Sequence, residues 1–120
     1  MKTTCVRRAA NCNNGTTTIE FALVAPVMFA LMAGILYSGL MILSGLSLQN
    51  AVEQAARCYS INTATCGTAA ATQTYAQNLY SGVGSPVFTV SSPSCGHQAS
   101  ATLAFNVGWN VPLSAIACYP

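Results

Sequence analysis

The chain has 120 residues, enough for one domain and an appended segment, and its composition is unusual, with 52% apolar and 5% charged residues. Globular domains carry about 25% charged residues, so this chain cannot build an ordinary soluble surface. The high apolar content argues against disorder, and a net charge of +2 is too small for a nucleic-acid-binding surface. We therefore expect no nucleic-acid partner.

The few charges are placed unevenly along the chain. Three of the four cations, Lys2, Arg7 and Arg8, precede position 15, and residues 58–120 contain no Asp, Glu, Lys or Arg. The chain has no Asp, and no acid follows Glu53. Paired-carboxylate and Ser-His-Asp mechanisms therefore lack their residues. We predict no catalytic site, no cofactor and no small-molecule substrate.

A long apolar segment follows the basic residues. No charged residue interrupts positions 21–52, and positions 21–48 are strongly apolar. A bilayer-spanning helix needs about 20 such residues, and the apolar stretch would measure about 42 Å as a helix. It is too long for a cleaved secretory signal, and Cys5 and Cys12 precede it, which is the wrong order for a lipoprotein signal. We predict a retained single-pass anchor with its basic N-terminus in the cytoplasm.

Small residues recur at every fourth position of this segment and would form one stripe on a helix: Ala22, Pro26, Ala30, Gly34 and Ser38. Such a stripe lets a second apolar helix approach closely in lipid, although membrane helices are in general rich in small residues. We interpret the stripe as a packing face. Because Pro26 removes a helical hydrogen bond to the carbonyl of Ala22, we expect a kink or a melted turn there.

The junction between the basic and apolar parts reads Gly-Thr-Thr-Thr-Ile-Glu-Phe over positions 15–21. In isolation, Glu20 is compatible with an interfacial acid that the helix dipole stabilises near a helix N-terminus. The setting is more specific: basic residues, Gly15, four residues, Glu20, Phe21 and then a long apolar helix. This order resembles the processing site of type IV prepilins, and more closely its Flp/Tad form. Between about Gly15 and Tyr59 the chain resembles a TadE-like minor pilin (pseudopilin).

The resemblance implies processing and assembly. A prepilin peptidase would cut between Gly15 and Thr16, and the chain would divide into a cytoplasmic leader at 1–15, a transmembrane and assembly helix at 16–50, and a small periplasmic or extracellular domain at 51–120. Glu20 would pair with the α-amino group freed at Thr16, because an unpaired buried charge is strongly disfavoured. The implied partners are the bacterial inner membrane, the peptidase, other pilins and pilus assembly proteins.

Beyond the anchor the sequence predicts an α+β domain. The first helix continues through residues 48–60, and a second helix is expected at Thr68–Tyr80 with Ala71, Tyr75 and Leu79 on one side. From residue 86 the period becomes two, which predicts a strand near 87–91 and one long strand whose odd positions are apolar from Ala99 to Leu113. We predict an antiparallel hairpin backed by the helices or by a third strand.

Four cysteines lie in this domain: Cys58, Cys66, Cys95 and Cys118. An even number outside the cytoplasm predicts two disulfides. Of the three possible pairings we favour Cys58 with Cys66 and Cys95 with Cys118. A zinc site that includes His97 has little support without a Cys-x-x-Cys pair, and we predict no metal. Oxidised thiols would also rule out a Cys-His nucleophile.

Two functions remain open from the sequence. The first is a structural minor pilin of a Tad/Flp-type pilus, processed after Gly15. The second is an uncleaved single-pass inner-membrane protein whose periplasmic domain acts as a scaffold or interaction module. A nearly uncharged domain favours contacts by packing and hydrogen bonding, which suits a subunit of an assembly.

Overall fold

The computed structural model describes residues 14–120, with side chains from residue 18 onward. Its elements in chain order are α1 (Asn14–Ile61), α2 (Thr63–Cys66), α3 (Ala69–Leu79), β1 (Val87–Ser91), β2 (His97–Asn106) and β3 (Asn110–Tyr119). The predicted α+β class is confirmed. The predicted leader at 1–15 lies, apart from its last two residues, outside the described part of the chain.

The chain forms two compact units, one ending at Leu36 and one comprising Tyr37–Pro120. In the first unit the described residues belong entirely to α1, and none of their side chains is buried. The helix continues through Pro26, so the expected melted turn is absent. A proline removes one hydrogen bond and leaves the rest of the helical ladder in place, which apolar helices tolerate.

In the second unit α1 has a buried face. Its buried residues follow helical spacing, and they are Ser44, Leu48, Ala51, Val52, Ala55 and Ala56. All of them except Ser44 pack in one cluster with Ala76 of α3 and with sheet residues Phe88, Ala99, Ala101, Leu103 and Ala115. Because so many of these side chains are alanines, the helix and the sheet can approach closely, and one core forms from two helices and three strands.

The segment between the two predicted helices, 61–67, contains the short helix α2. Asn62 caps it, and its Oδ1 accepts the N–H of Thr65 at 3.2 Å. Thr68 caps α3 in the same way, because its Oγ1 accepts the N–H of Ala71 at 3.2 Å. Side-chain caps therefore begin both of the helices that follow α1.

The predicted apolar side of α3 is wrong by one position. Its buried residues are Thr72 and Ala76, whereas Leu79 is exposed. Thr72 is a poor candidate for burial by polarity alone. Its hydroxyl donates to the carbonyls of Cys66, at 3.2 Å, and Thr68, at 3.0 Å, so it enters the core without an unpaired polar atom.

The sheet has three antiparallel strands in the order β1-β2-β3. The third strand arises because the single long strand expected after Ala99 turns back at 107–109. Asn106 pairs with Asn110, and Leu103 with Leu113. Gly108 takes a φ of 87° at the tip, a conformation that glycine adopts without strain. The N–H of Val107 donates to the Trp109 carbonyl at 3.1 Å and closes the turn.

Strand β2 runs antiparallel to the part of α1 in this unit. At its beginning, the ring of His97 lies 4.5 Å from the ring of Tyr59, near the end of α1. Further along, Leu103 lies beside Gly84, where an added Cβ would be 2.8 Å from Leu103 Cδ1. The neighbouring Val83 donates its N–H to Ser44 Oγ at 3.0 Å. The β2–β3 turn therefore lies at the end of the unit where α1 enters it.

Two serines of α1 hold the loop between α3 and β1. Besides accepting the Val83 N–H, Ser44 Oγ donates to the Leu40 carbonyl at 2.8 Å. One turn later, Ser47 Oγ accepts the N–H of Ser81 at 2.9 Å. Ser44 and Ser47 are thus polar residues within the apolar run that bind a loop of the second unit.

Candidate assembly helix and processing junction

The predicted cleavage site lies in the first turn of α1, because the helix begins at Asn14 and includes the Gly15–Thr16 peptide bond. Only the backbone of these residues is described. Glu20 and Phe21 follow one turn later, and both side chains are exposed. The structure thus places the two motif residues at the same helix end as the predicted cut, with no contact that assigns them a role.

After this junction the helix is apolar around most of its circumference. Its exposed large side chains are Ile19, Phe21, Leu23, Val24, Val27, Met28, Phe29, Leu31, Met32, Ile35 and Leu36. At 100° per residue these positions leave free only a narrow sector of the helix. A soluble surface helix instead has one apolar stripe and a polar face. This helix therefore requires an apolar environment, either lipid or other helices.

Two members of the predicted small-residue stripe, Ala22 and Pro26, lie in that free sector, whereas Ala30, Gly34 and Ser38 lie progressively further round the helix, because each step of four residues advances about 40°. All five of its members are exposed: Ala22, Pro26, Ala30, Gly34 and Ser38. At Gly34 no atom lies within 4 Å of an added Cβ. The packing role of the stripe stays a prediction, since nothing within the described chain covers it.

One helix of the described chain, over Thr18–Ile61, is long and apolar enough to cross a membrane, with a mean hydropathy of 2.2 in its most apolar window. Part of this length serves another purpose. From Ser44 onward the helix contributes to the core of the second unit. The stretch available to lipid is therefore shorter than the 28-residue run at 21–48 would indicate by itself.

A groove of about 440 Å³ lies beside α1 in the second unit, and its lining residues are Glu53, Gln54, Ala56, Arg57, Ile116, Ala117, Cys118 and Tyr119. The Arg57 guanidinium lies over the Tyr119 ring, 5.6 Å from its centroid, which is a stabilising cation–π geometry. Glu53 and Arg57 are the only charged residues of this unit.

Both disulfides expected from the sequence are present, in the favoured pairing. Cys58 is bonded to Cys66, and Cys95 to Cys118. The first joins the end of α1 to α2, and the second joins the loop before β2 to the end of β3. Because these sulfurs are bonded to each other, they offer no thiolates to a metal ion. His97 instead contacts Tyr59, and its Nδ1 lies 3.3 Å from Ser92 Oγ.

The alternation from Ala99 to Leu113 predicts Trp109 on the apolar face of one long strand, and this prediction is wrong. The residue occupies the tip of the β2–β3 turn with 74% of its surface exposed. The available signal was local: Asn106, Gly108 and Asn110 are turn-forming residues around the tip.

A comparison with protein families gives one match, to the family described as TadE-like protein, over residues 15–57. Over these residues the chain is TadE-like. The resemblance inferred from the junction and the apolar helix is confirmed, and the TadE-like match begins at the glycine of the predicted cut. Searches of curated proteins and of solved structures gave no match.

The TadE-like segment and the long apolar helix together fit a membrane protein related to Tad pili. TadE-like proteins form a structural family of pilus-related proteins. The matched region ends at Arg57, so it covers α1 almost to its end and stops before the first disulfide. The match does not reach the sheet-bearing part of the chain.

Proposed function

We propose that this chain is a structural minor pilin (pseudopilin) of a Tad/Flp-type pilus. A prepilin peptidase cuts it after Gly15, and the mature protein assembles through its apolar N-terminal helix. One observation carries the proposal: the TadE-like match begins at Gly15, directly before a helix that exposes large apolar side chains around most of its circumference.

Orientation follows from the charges. Lys2, Arg7 and Arg8 hold the leader on the cytoplasmic side by the positive-inside rule, and the disulfide-bonded unit lies in the periplasm. The inner membrane is therefore the site of processing. Removal of the leader also removes these three cations, which are the charges that oppose extraction of the helix from the membrane.

Assembly uses the helix that processing releases. The proposed partners are other pilins and pilus assembly proteins, whose apolar helices cover the exposed side chains between Ile19 and Leu36. The stripe from Ala22 to Ser38 provides the close approach. Glu20 pairs with the α-amino group of Thr16, either in the same chain or in a neighbour, and thereby fixes the axial register of the helices.

The decisive experiment is the mass and N-terminal residue of the protein isolated from membranes of cells with and without the peptidase. With the peptidase, we expect the dominant species to begin at Thr16. Without it, the leader should be retained.

The competing function is an uncleaved inner-membrane protein whose periplasmic domain acts as a scaffold. The domain can fold without processing, since its core and both disulfides lie within residues 37–120. A leader-bearing chain as the dominant species in peptidase-positive cells would reject the minor-pilin proposal in favour of this one.

A further inference from the structure

The turn between β2 and β3 presents an aromatic side chain that the core does not use. Trp109 is the only tryptophan of the chain and is 74% exposed at the tip of the turn. The turn itself is well defined, because the N–H of Val107 donates to the carbonyl of Trp109 and Gly108 supplies the positive φ. A single exposed apolar side chain needs no explanation by itself, so the surroundings of the tip decide whether Trp109 marks a contact outside the chain.

The location of the tip within the second unit indicates the kind of contact. Since β2 runs from Tyr59 toward Ser44 of α1, the tip lies at the end of the unit where α1 enters. The same end exposes the apolar residues Tyr37, Leu40, Ile42 and Leu43 of α1. Indole and apolar helix residues are therefore presented at one end of the unit.

The chemistry of the tip fits a membrane–water interface. Tryptophan concentrates there because its ring is apolar and its N–H can still reach water or headgroups. The flanking Asn106 and Asn110 are polar and uncharged, and no residue of 58–120 carries a charge. No charged side chain of this segment would lose hydration as the tip approaches the headgroup region.

We propose that the β2–β3 turn docks on the outer surface of the lipid bilayer, with Trp109 inserted at the headgroup level. The docked turn adds a second attachment point to that of α1 and restrains the domain against the membrane before assembly. This inference rests on the proposed membrane-spanning helix, since that helix brings this end of the unit to the bilayer.

The single tryptophan makes fluorescence of the full chain a direct test. The protein would be reconstituted in phosphatidylcholine vesicles whose acyl chains are brominated either near the headgroup or near the chain end. The control carries Trp109→Phe together with Ile61→Trp. Ile61 is 70% exposed, and it lies at the far end of α1 from the tip.

For Trp109 we expect emission at shorter wavelength than for the control, and stronger quenching by the shallow bromines than by the deep ones. Emission and quenching equal to those of the control would overturn the inference. So would a blue shift that disappears on dilution with lipid, because the tip would then be packing against a second copy of the chain.

Flotation of the same vesicles separates this inference from the proposed function. Protein that floats with the lipid while Trp109 remains unquenched would reject the docking of the turn and leave the anchor intact. Protein that does not float would reject the membrane-spanning helix, and the docking with it.

Discussion

The two parts of α1 contain similar residues and meet different surroundings. Leu31 and Leu48 are chemically identical, yet Leu31 is 61% exposed and Leu48 is 1% exposed. Before position 37 no described side chain is buried, whereas from Ser44 onward the helix is covered on one face by α3 and the sheet. The apolar sequence therefore predicts which residues avoid water, but it does not predict whether the protein's own core or another environment covers them.

This difference also explains the length of the apolar run. Read as one membrane segment, positions 21–48 are longer than a bilayer needs. Positions 21–43 alone would measure about 34 Å as a helix, close to the hydrocarbon thickness of about 30 Å. The remaining positions include Ser44 and Leu48, which are core residues of the second unit. The run is thus a membrane-length segment joined to a core segment.

The largest effect should come from blocking release of the first part. Replacing Gly15 with Leu puts a bulky side chain at the proposed scissile bond, and we expect complete loss of cleavage, with the leader-bearing chain retained in membranes. Mass spectrometry of the membrane fraction measures this directly. Gly34→Ala is the control and should be cut normally, because it lies deep in the helix with open space at its Cβ. Normal cutting of the Gly15 variant would contradict the proposed site.

The next effect concerns the only charge in the described part of the first unit. Glu20→Gln keeps size and hydrogen bonding but removes the charge, so the pair with the freed α-amino group is lost. We expect this variant to be inserted and cut, yet largely absent from sheared filaments. Immunoblots of filament and membrane fractions would measure the distribution.

The chain offers a matched control for this charge, because its only other acid is Glu53. Glu53→Gln should be assembled normally. If the Glu20 variant were also found in filaments at the wild-type level, Glu20 would be a simple interfacial cap, for which glutamine is an adequate replacement.

Two leucines of α1, one buried and one exposed, test which face of the helix packs against the core of the second unit. Leu48→Ala removes a side chain from the core and should lower the free energy of unfolding of the second unit by about 2–5 kcal/mol. Leu46→Ala, two residues earlier at a position 63% exposed, should change it by less than about 0.5 kcal/mol. Pulse proteolysis in denaturant, on protein in detergent, gives both values. Equal effects would mean that the buried face of α1 is misplaced.

The smallest expected effect separates the two serines that hold the loop. Ser44→Ala leaves the partly buried N–H of Val83 without its acceptor and should cost about 1–3 kcal/mol. Ser47→Ala removes a solvent-accessible bond to Ser81, which water can replace, and should cost less than about 0.5 kcal/mol. The same proteolysis assay applies, and a reversed order would show that the loop is held mainly through Ser47.

Local patterns predicted much of this fold. The helix Thr68–Tyr80 was found within one residue at each end, because Thr68 is a strong capping residue and Ser81-Gly82 ends the pattern. The α+β class and the disulfide pairing were also correct. The buried side of α3 was not, since Thr72 enters the core with its hydroxyl bonded to the carbonyls of Cys66 and Thr68 at the start of α3, and apolar periodicity does not register a polar residue buried in this way.

The third strand was missed for a reason of parity. In the β2–β3 hairpin, Asn106 pairs with Asn110, so odd residues face odd residues throughout, as with Leu103 and Leu113. The apolar alternation therefore continues across the turn as if the strand were unbroken. Only the length of the run, beyond the usual 3–10 residues of a strand, and Gly108 at its middle marked the reversal.

The sequence predicted which residues form the candidate assembly site, but not what they contact. Gly15, Glu20 and the apolar helix follow from motif and composition, and the family match bears out the resemblance. The partner of the helix does not follow, because it belongs to another molecule. The exposure of Trp109 was missed for the same reason as the turn, because the alternation of apolar residues continues across it.

The register of this hairpin is fixed at its open end as well as at its turn. A slip of one residue between β2 and β3 would exchange the two faces of β3, carrying Ala115 out of the core and Cys118 to the opposite face from the one that reaches Cys95. Residues added within the turn do not require such a slip, because hairpin loops of three, four and five residues are all common. We therefore expect one or two alanines added after Gly108 to lengthen the turn and to leave the strand pairing unchanged. Mapping of the Cys95–Cys118 bridge should find it intact in both variants, and its loss in the variant with one added alanine would mean that the insertion shifts the register.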